Sequence, residues 1–242
     1  MIRVFALNAL VLVLAGCATP LPQVPPAGIA ARVDAPRMKP GDTWRYAARD
    51  GYTSLPKEAL EYRVAAIAGD TITMTLQHGD TVSAERYTRD LSWIEKPMTN
   101  LQDFRYSPPY PALPFPLEAG KKWHAYVQAT DPATGRTNRV RIDGEVLGWE
   151  RVTVPAGVFD TLKVHRLVYA GNHDFFRGEE HIRETDWYAP QIGKIVKQSN
   201  SSEYLDMSRG CDDAGACTMW VNNDWTVLEL VRYDRGADRG GS

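Results

Sequence analysis

The stretch that most constrains the fold runs from Glu150 to Val164 and reads E-R-V-T-V-P-A-G-V-F-D-T-L-K-V. Val152 and Val154 alternate with polar neighbours, the pattern of a strand with one buried face. Pro155 removes a backbone donor and fixes φ, so the ladder must stop there. Gly157 can supply the positive φ of a reversal. Phe159 is the first large apolar group beyond the turn, and Leu162, Val164 and Val168 restart a period of two. Pro155, Gly157 and Phe159 therefore predict a sharp structural turn with an aromatic plug between two strands. The stretch holds no nucleophile, metal cluster or phosphate cradle.

The same period recurs along the chain. Trp44 and Tyr46 share a face, and Leu60, Tyr62, Val64 and Ala66 alternate up to a turn at Ala68-Gly69-Asp70. Ile72, Met74 and Leu76 then alternate with threonines, which predicts a hairpin. Residues 84–94 predict a further strand region with Tyr87, Leu91, Trp93 and Ile94 in the core. Ser107–Pro116 (S-P-P-Y-P-A-L-P-F-P) is expected to carry no regular ladder. Leu117–Trp123 echoes Met38–Trp44, each with Gly three residues before Trp. This suggests duplication, with a first lobe at 39–106, a proline connector at 107–116 and a second lobe at 117–233. In the second lobe Val140 and Ile142 alternate with charges, and further strands are expected near Glu184–Pro190, Lys194–Lys197 and Val227–Val231. With no amphipathic helix anywhere after the first sixteen residues, the fold class is all-β: antiparallel sheets forming one curved or open-barrel-like body, with two duplicated lobes as the further expectation.

The chain starts with one cation, Arg3, then an apolar run from Val4 to Ala15 broken only by Asn8, and then L-A-G-C at Leu14–Cys17. Such a run is too short to span a bilayer and reads as a secretory signal. The tetrapeptide resembles the lipobox of bacterial lipoproteins. That resemblance implies removal of residues 1–16 and lipidation of Cys17. One acyl chain binds only marginally, at about 0.8 kcal/mol per buried methylene, so several imply stable anchoring. Ala18, rather than the Asp associated with inner-membrane retention, implies the outer membrane, facing the periplasm. Losing Arg3 takes the formal charge from −2 to −3, too mild to suggest nucleic acid as a partner. The expected partners are the membrane, through the anchor, and an envelope protein or lipid. Residues 17–38 contain Pro20, Pro22, Pro25, Pro26 and Pro36 and read as an extended tether. The Gly- and Arg-rich tail, 234–242, is expected to fray.

P-L-E-A-G-K-K-W, V-T-V-P-A-G-V-F-D-T-L-K-V, W-Y-A-P-Q-I-G-K-I-V-K and the closing L-E-L-V-R-Y occur in this order. Over about residues 113–233 the chain resembles the bacterial envelope proteins grouped as a domain of unknown function, family 3108. The resemblance implies an antiparallel β fold and supplies no catalytic residues.

Cys211 and Cys217, separated by D-D-A-G-A, read as a local disulfide in an exported protein. His165, His173, Asp174, Glu179, Glu180, His181 and Glu184 crowd one hairpin. Imidazole and carboxylate can bind zinc, but H-E-x-x-H and H-x-H spacings do not occur. Asp212 and Asp213 offer too few oxygens for an EF-hand-like calcium site. No G-x-S-x-G elbow is present. The expectation is therefore no catalytic residue, no metal ligand and no cofactor. The tryptophans, at 44, 93, 123, 149, 187, 220 and 225, suit a β core or an apolar concavity. Three readings follow: a non-catalytic outer-membrane lipoprotein that scaffolds or binds envelope components; a lipid or lipoprotein binder with an apolar cavity; and a metal-dependent hydrolase at His165, His173 and His181.

Overall fold

Strands that alternate apolar and polar residues must bury one face, and closing a sheet on itself buries it without leaving an edge. This is the solution in the computed structural model, which describes residues 20–98, 103–171, 178–206 and 220–236. The strands are β1 (Thr43–Asp50), β2 (Pro56–Ala68), β3 (Thr71–His78), β4 (Thr81–Thr88), β5 (Trp93–Pro97) and β6 (Asp103–Tyr110), followed by β7 (Lys122–Thr130), β8 (Thr137–Val154), β9 (Gly157–Tyr169), β10 (His181–Ala189), β11 (Lys194–Asp206) and β12 (Trp220–Asp234). Each pairs antiparallel with its neighbours in sequence, and β1 pairs with β12 to close the barrel. The chain is all-β as expected, and the body is a closed barrel. The two lobes read from the sequence are arcs of this one sheet, joined by the β6–β7 and β1–β12 ladders.

The β8–β9 hairpin forms where the sequence places it. β8 ends at Val154, β9 begins at Gly157, and Val152 lies opposite Phe159. Gly157 has φ +136, a conformation side chains rarely adopt. In the turn, the Ala156 amide donates to the Leu230 carbonyl at 2.9 Å, which ties the tip to β12. Phe159 joins the main core and meets Tyr233 edge-on, with ring centroids 6.4 Å apart.

Two expectations change and one holds. The proline segment carries no regular ladder, although β6 extends through Pro108 and Pro109 to Tyr110. The ladder to β5 skips from Arg105 to Tyr110, and the ladder to β7 ends at Ser107, so neither proline nitrogen has to donate. The tether is not free-standing. Val33 and Leu117 exchange two backbone hydrogen bonds, at 2.9 and 2.8 Å, Pro22 accepts from the Trp149 amide at 2.8 Å, and Val33 and Met38 are buried. The tail is held at its start, because Gly236 donates its amide to Asp42 at 2.8 Å and Arg235 reaches the Ile192 carbonyl at 3.0 Å. Cys17, His173, Asp174, Cys211, Asp212, Asp213 and Cys217 lie outside the described residues.

Twelve strands enclose more room than side chains alone fill, since about eight already suffice for a packed interior. Part of the excess is taken up by the β6–β7 connection. Ala112, Leu113 and Leu117 are buried, and the Ala112 carbonyl meets Arg166 of β9 inside the barrel. The rest is left open.

A candidate ligand cavity inside the barrel

The open part is a cavity of about 930 Å³. Glu58, His78, Thr81, Pro97, Asp103 and Asp224 line one end of it. In an antiparallel meander these starts of β2, β4, β6 and β12 and ends of β3 and β5 share one rim. The N-terminal segment packs at the other end, against Leu117 and Trp149. The mouth therefore opens at the end opposite the described N-terminal segment, residues 20–38. Leu60, Leu76, Leu91, Trp93, Met98 and Leu228 supply much of the apolar wall. Trp93 stacks on Tyr110 with centroids 4.3 Å apart, which stiffens one side of it.

Charged side chains also turn inward. Arg166 Nε is 2.7 Å from Glu184 Oε2, its Nη2 is 2.6 Å from Asp186 Oδ2, and its Nη1 donates to the Ala112 carbonyl at 2.8 Å. Gln198 donates to Asp186 at 2.7 Å and Asn200 to Glu184 at 3.3 Å. Burial pushes the Glu184 carboxyl above its ordinary range, against the pull of Arg166. Burial also works against the Arg166 charge, but Asp186 and Glu184 outweigh it and hold the guanidinium protonated. Across the cavity, Lys96 Nζ is 2.9 Å from Glu85 Oε1, and the Tyr87 hydroxyl donates to the other Glu85 oxygen. Burial lowers the affinity of Lys96 for its proton, and Glu85 more than restores it. Burial, with Glu85 adding to it, pushes the Tyr62 hydroxyl up to about 12.

Lys194 is different. Its Nζ lies 5.0 Å from the ring centroids of both Trp44 and Tyr62 and 3.7 Å from Met74 Sδ. Burial pulls its pKa down to about 8. Trp44 and Met74 are themselves almost fully buried, so this amine marks the cavity floor.

The two described hairpin histidines are not brought together. His165 and His181 follow the parity opposite to inward-facing Arg166 and Ile182, and so lie on the outer face. His165 meets Thr185 at 3.2 Å, and His181 meets Glu179 at 3.2 Å and the Tyr169 ring at 5.1 Å. His181 pairs opposite Tyr169, four residues from His165, about 13 Å along the sheet. Among the described residues no three His, Cys, Asp or Glu side chains converge as a metal site. Glu184, grouped with these histidines in the sequence, is the inward partner of Arg166.

The tryptophans do not make the cavity either. Trp93 lines the wall and Trp44 lies beneath Lys194. Trp123 and Trp149 pack in the second apolar cluster, around Leu117. Trp187 donates to Glu150 at 3.0 Å, and Trp220 is half exposed. Tyrosines and paired ions take the place expected for the tryptophans. One signal in the sequence could have found them: Arg166 sits on the inward parity between Val164 and Val168, and Glu85 sits two residues before Tyr87.

No family model and no curated protein matches the chain, so the resemblance to family 3108 stands on its motifs alone. Three solved structures show a distant likeness. One is a candidate lipoprotein of Parabacteroides distasonis, 13% identical over 85% of this chain and 100% of that one, with a TM-score of 0.45. Another is a candidate exported protein of Bacteroides fragilis with a YmcC-like fold, 15% identical over 84% and 100%, with a TM-score of 0.42. The third is the hypothetical lipoprotein YmcC of Escherichia coli, 10% identical over 80% and 85%, with a TM-score of 0.38. Likeness at this level carries no argument about what this chain binds or does.

Proposed function

We propose that the protein is a lipid-anchored envelope protein of the outer membrane that binds an amphipathic small molecule inside its barrel. The observation that carries this reading is the cavity, about 930 Å³ within a closed sheet and open at one rim. Protein interiors tolerate few voids larger than a water molecule, and this volume is near the top of the range for small-molecule sites. Its wall mixes aliphatic groups with charges that are mostly paired, which suits a ligand that is apolar along its length and polar at an end. A purely scaffolding role, the first expectation from the sequence, leaves this space without a use. The role is binding and not catalysis.

Two measurements test the proposal. Cys17→Ser, which cannot take the thioether-linked lipid, should incorporate no labelled palmitate and should leave the membrane fraction; labelling equal to the parent chain overturns the anchor. The same soluble variant should bind the neutral fluorophore phenylnaphthylamine. Ser83 lines the wall, so adding Ser83→Trp should weaken that binding about tenfold or more by filling the cavity, a difference of about 1.4 kcal/mol. Undiminished binding with an unchanged melting curve would place the fluorophore elsewhere and remove the support for the cavity reading.

A further inference from the structure

Among the described cations lining the cavity, Lys57 is held by Asp224 at 2.9 Å and Lys96 by Glu85 at 2.9 Å. Among the described residues Lys194 has no carboxylate within 4.0 Å. The acids that act on it from a distance are Glu85 and Asp186. Both are already engaged, Glu85 by Lys96 and Tyr87, and Asp186 by Arg166 and Gln198. Lys96 adds repulsion. The rings of Trp44 and Tyr62 offset part of the cost of burying an ammonium, but they cannot accept its hydrogens as an anion does.

From this we infer that Lys194 is the recognition point for the carboxylate of an amphipathic ligand, bound head-down with its apolar body running towards the mouth. The inference rests on the cavity reading proposed above and names the ligand class. Charge selects the headgroup, because a single unpaired cation neutralises a single negative charge, whereas a phosphate dianion leaves one buried charge uncompensated. Position selects the orientation. The ammonium is at the floor beside Met74, and from Met74 to rim residue His78 is four residues of β3, about 13 Å. Leu60, Leu76 and Leu228 line that path. A bound carboxylate would also favour the charged form of the amine, reversing the depression caused by burial.

Calorimetric titration of the full chain carrying Cys17→Ser separates the possibilities, using laurate and its uncharged analogue dodecanol. The parent should bind both, laurate more tightly. Lys194→Met keeps the length of the side chain without its charge. It should weaken laurate roughly tenfold to a hundredfold, the worth of a hydrogen bond to a charged group, and leave dodecanol within about twofold. In parallel, the carbon-13 resonance of reductively methylated Lys194 should titrate at higher pH with laurate bound than without, a readout that does not depend on the variant folding. If neither ligand binds the parent, the cavity reading falls and this inference with it. If both bind and Lys194→Met leaves laurate unchanged, or if laurate does not move the Lys194 titration, the cavity stands and the assignment of Lys194 falls. Tighter binding of dodecyl phosphate than of laurate would overturn the carboxylate class.

Discussion

Arg166→Leu is expected to destabilise the barrel by about 3–5 kcal/mol at neutral pH, the cost of removing one partner from a buried ionic set. Arg166 and Asp186 are 0% exposed and Glu184 is 2% exposed, so solvent cannot take the place of the guanidinium. The variant would leave two carboxylates facing each other and the Ala112 carbonyl without its donor. Removing the acids as well, in Arg166→Leu/Glu184→Leu/Asp186→Leu, should recover much of the loss, because an apolar set of similar volume has no desolvation to offset. Urea unfolding of the three chains measures this directly. A single variant as stable as its parent would mean that the interior is wetter than the structure shows.

The pH dependence of that loss has a definite sign. Burial already pushes Glu184 above its ordinary value of 4.5, and taking Arg166 away removes the main force opposing that rise. A carboxyl whose folded pKa lies above its unfolded one binds more protons when folded, so stability falls as pH rises through that interval. The deficit of Arg166→Leu should therefore be largest at neutral pH and shrink as pH falls towards 4.5. A deficit that grows on acidification would show that the lost term is packing around Ala112 and not charge.

This ionic set also shows what the sequence could and could not disclose. Period-two alternation revealed the β2–β3 and β8–β9 hairpins because Val64, Ile72, Met74, Val152 and Val154 keep their parity with their neighbours, although Phe159 is out of phase with Leu162 and Val164. The same rule sends charged residues outward, and it fails where a wide barrel pairs ions across strands. Arg166 meets acids 18 and 20 residues away, contacts fixed by strand register and not by any local motif. Lys194 was legible only as the restart of a strand after Gly193. Its site depends on Trp44, Tyr62 and Met74, which come from three strands at the other end of the chain. The histidines misled for the converse reason: closeness in sequence on a hairpin placed His165 and His181 on one sheet face, but about 13 Å apart.

Phe159→Ala should cost about 3 kcal/mol, the lower end of the range for buried aromatics, because the ring is 9% exposed at the edge of the core. Its effect should exceed that of an ordinary edge position because of what the turn holds. Phe159 packs within the main core and against Tyr233 of β12, while the adjacent Ala156 amide donates to Leu230. The β11–β12 ladder ends at Lys197–Glu229, so below that point the β8–β9 tip supplies a hydrogen bond that β11 does not. Losing the ring should loosen the tip and the lower end of β12 together, and amide exchange at Ala156 should accelerate along with the drop in urea midpoint. His181→Ala, on the outer face, is the matched control and should change stability by no more than about 0.5 kcal/mol. If Phe159→Ala proved no more harmful than His181→Ala, or if Ala156 kept its protection, the hairpin would close on itself without the aromatic plug and the tie to β12 would contribute nothing.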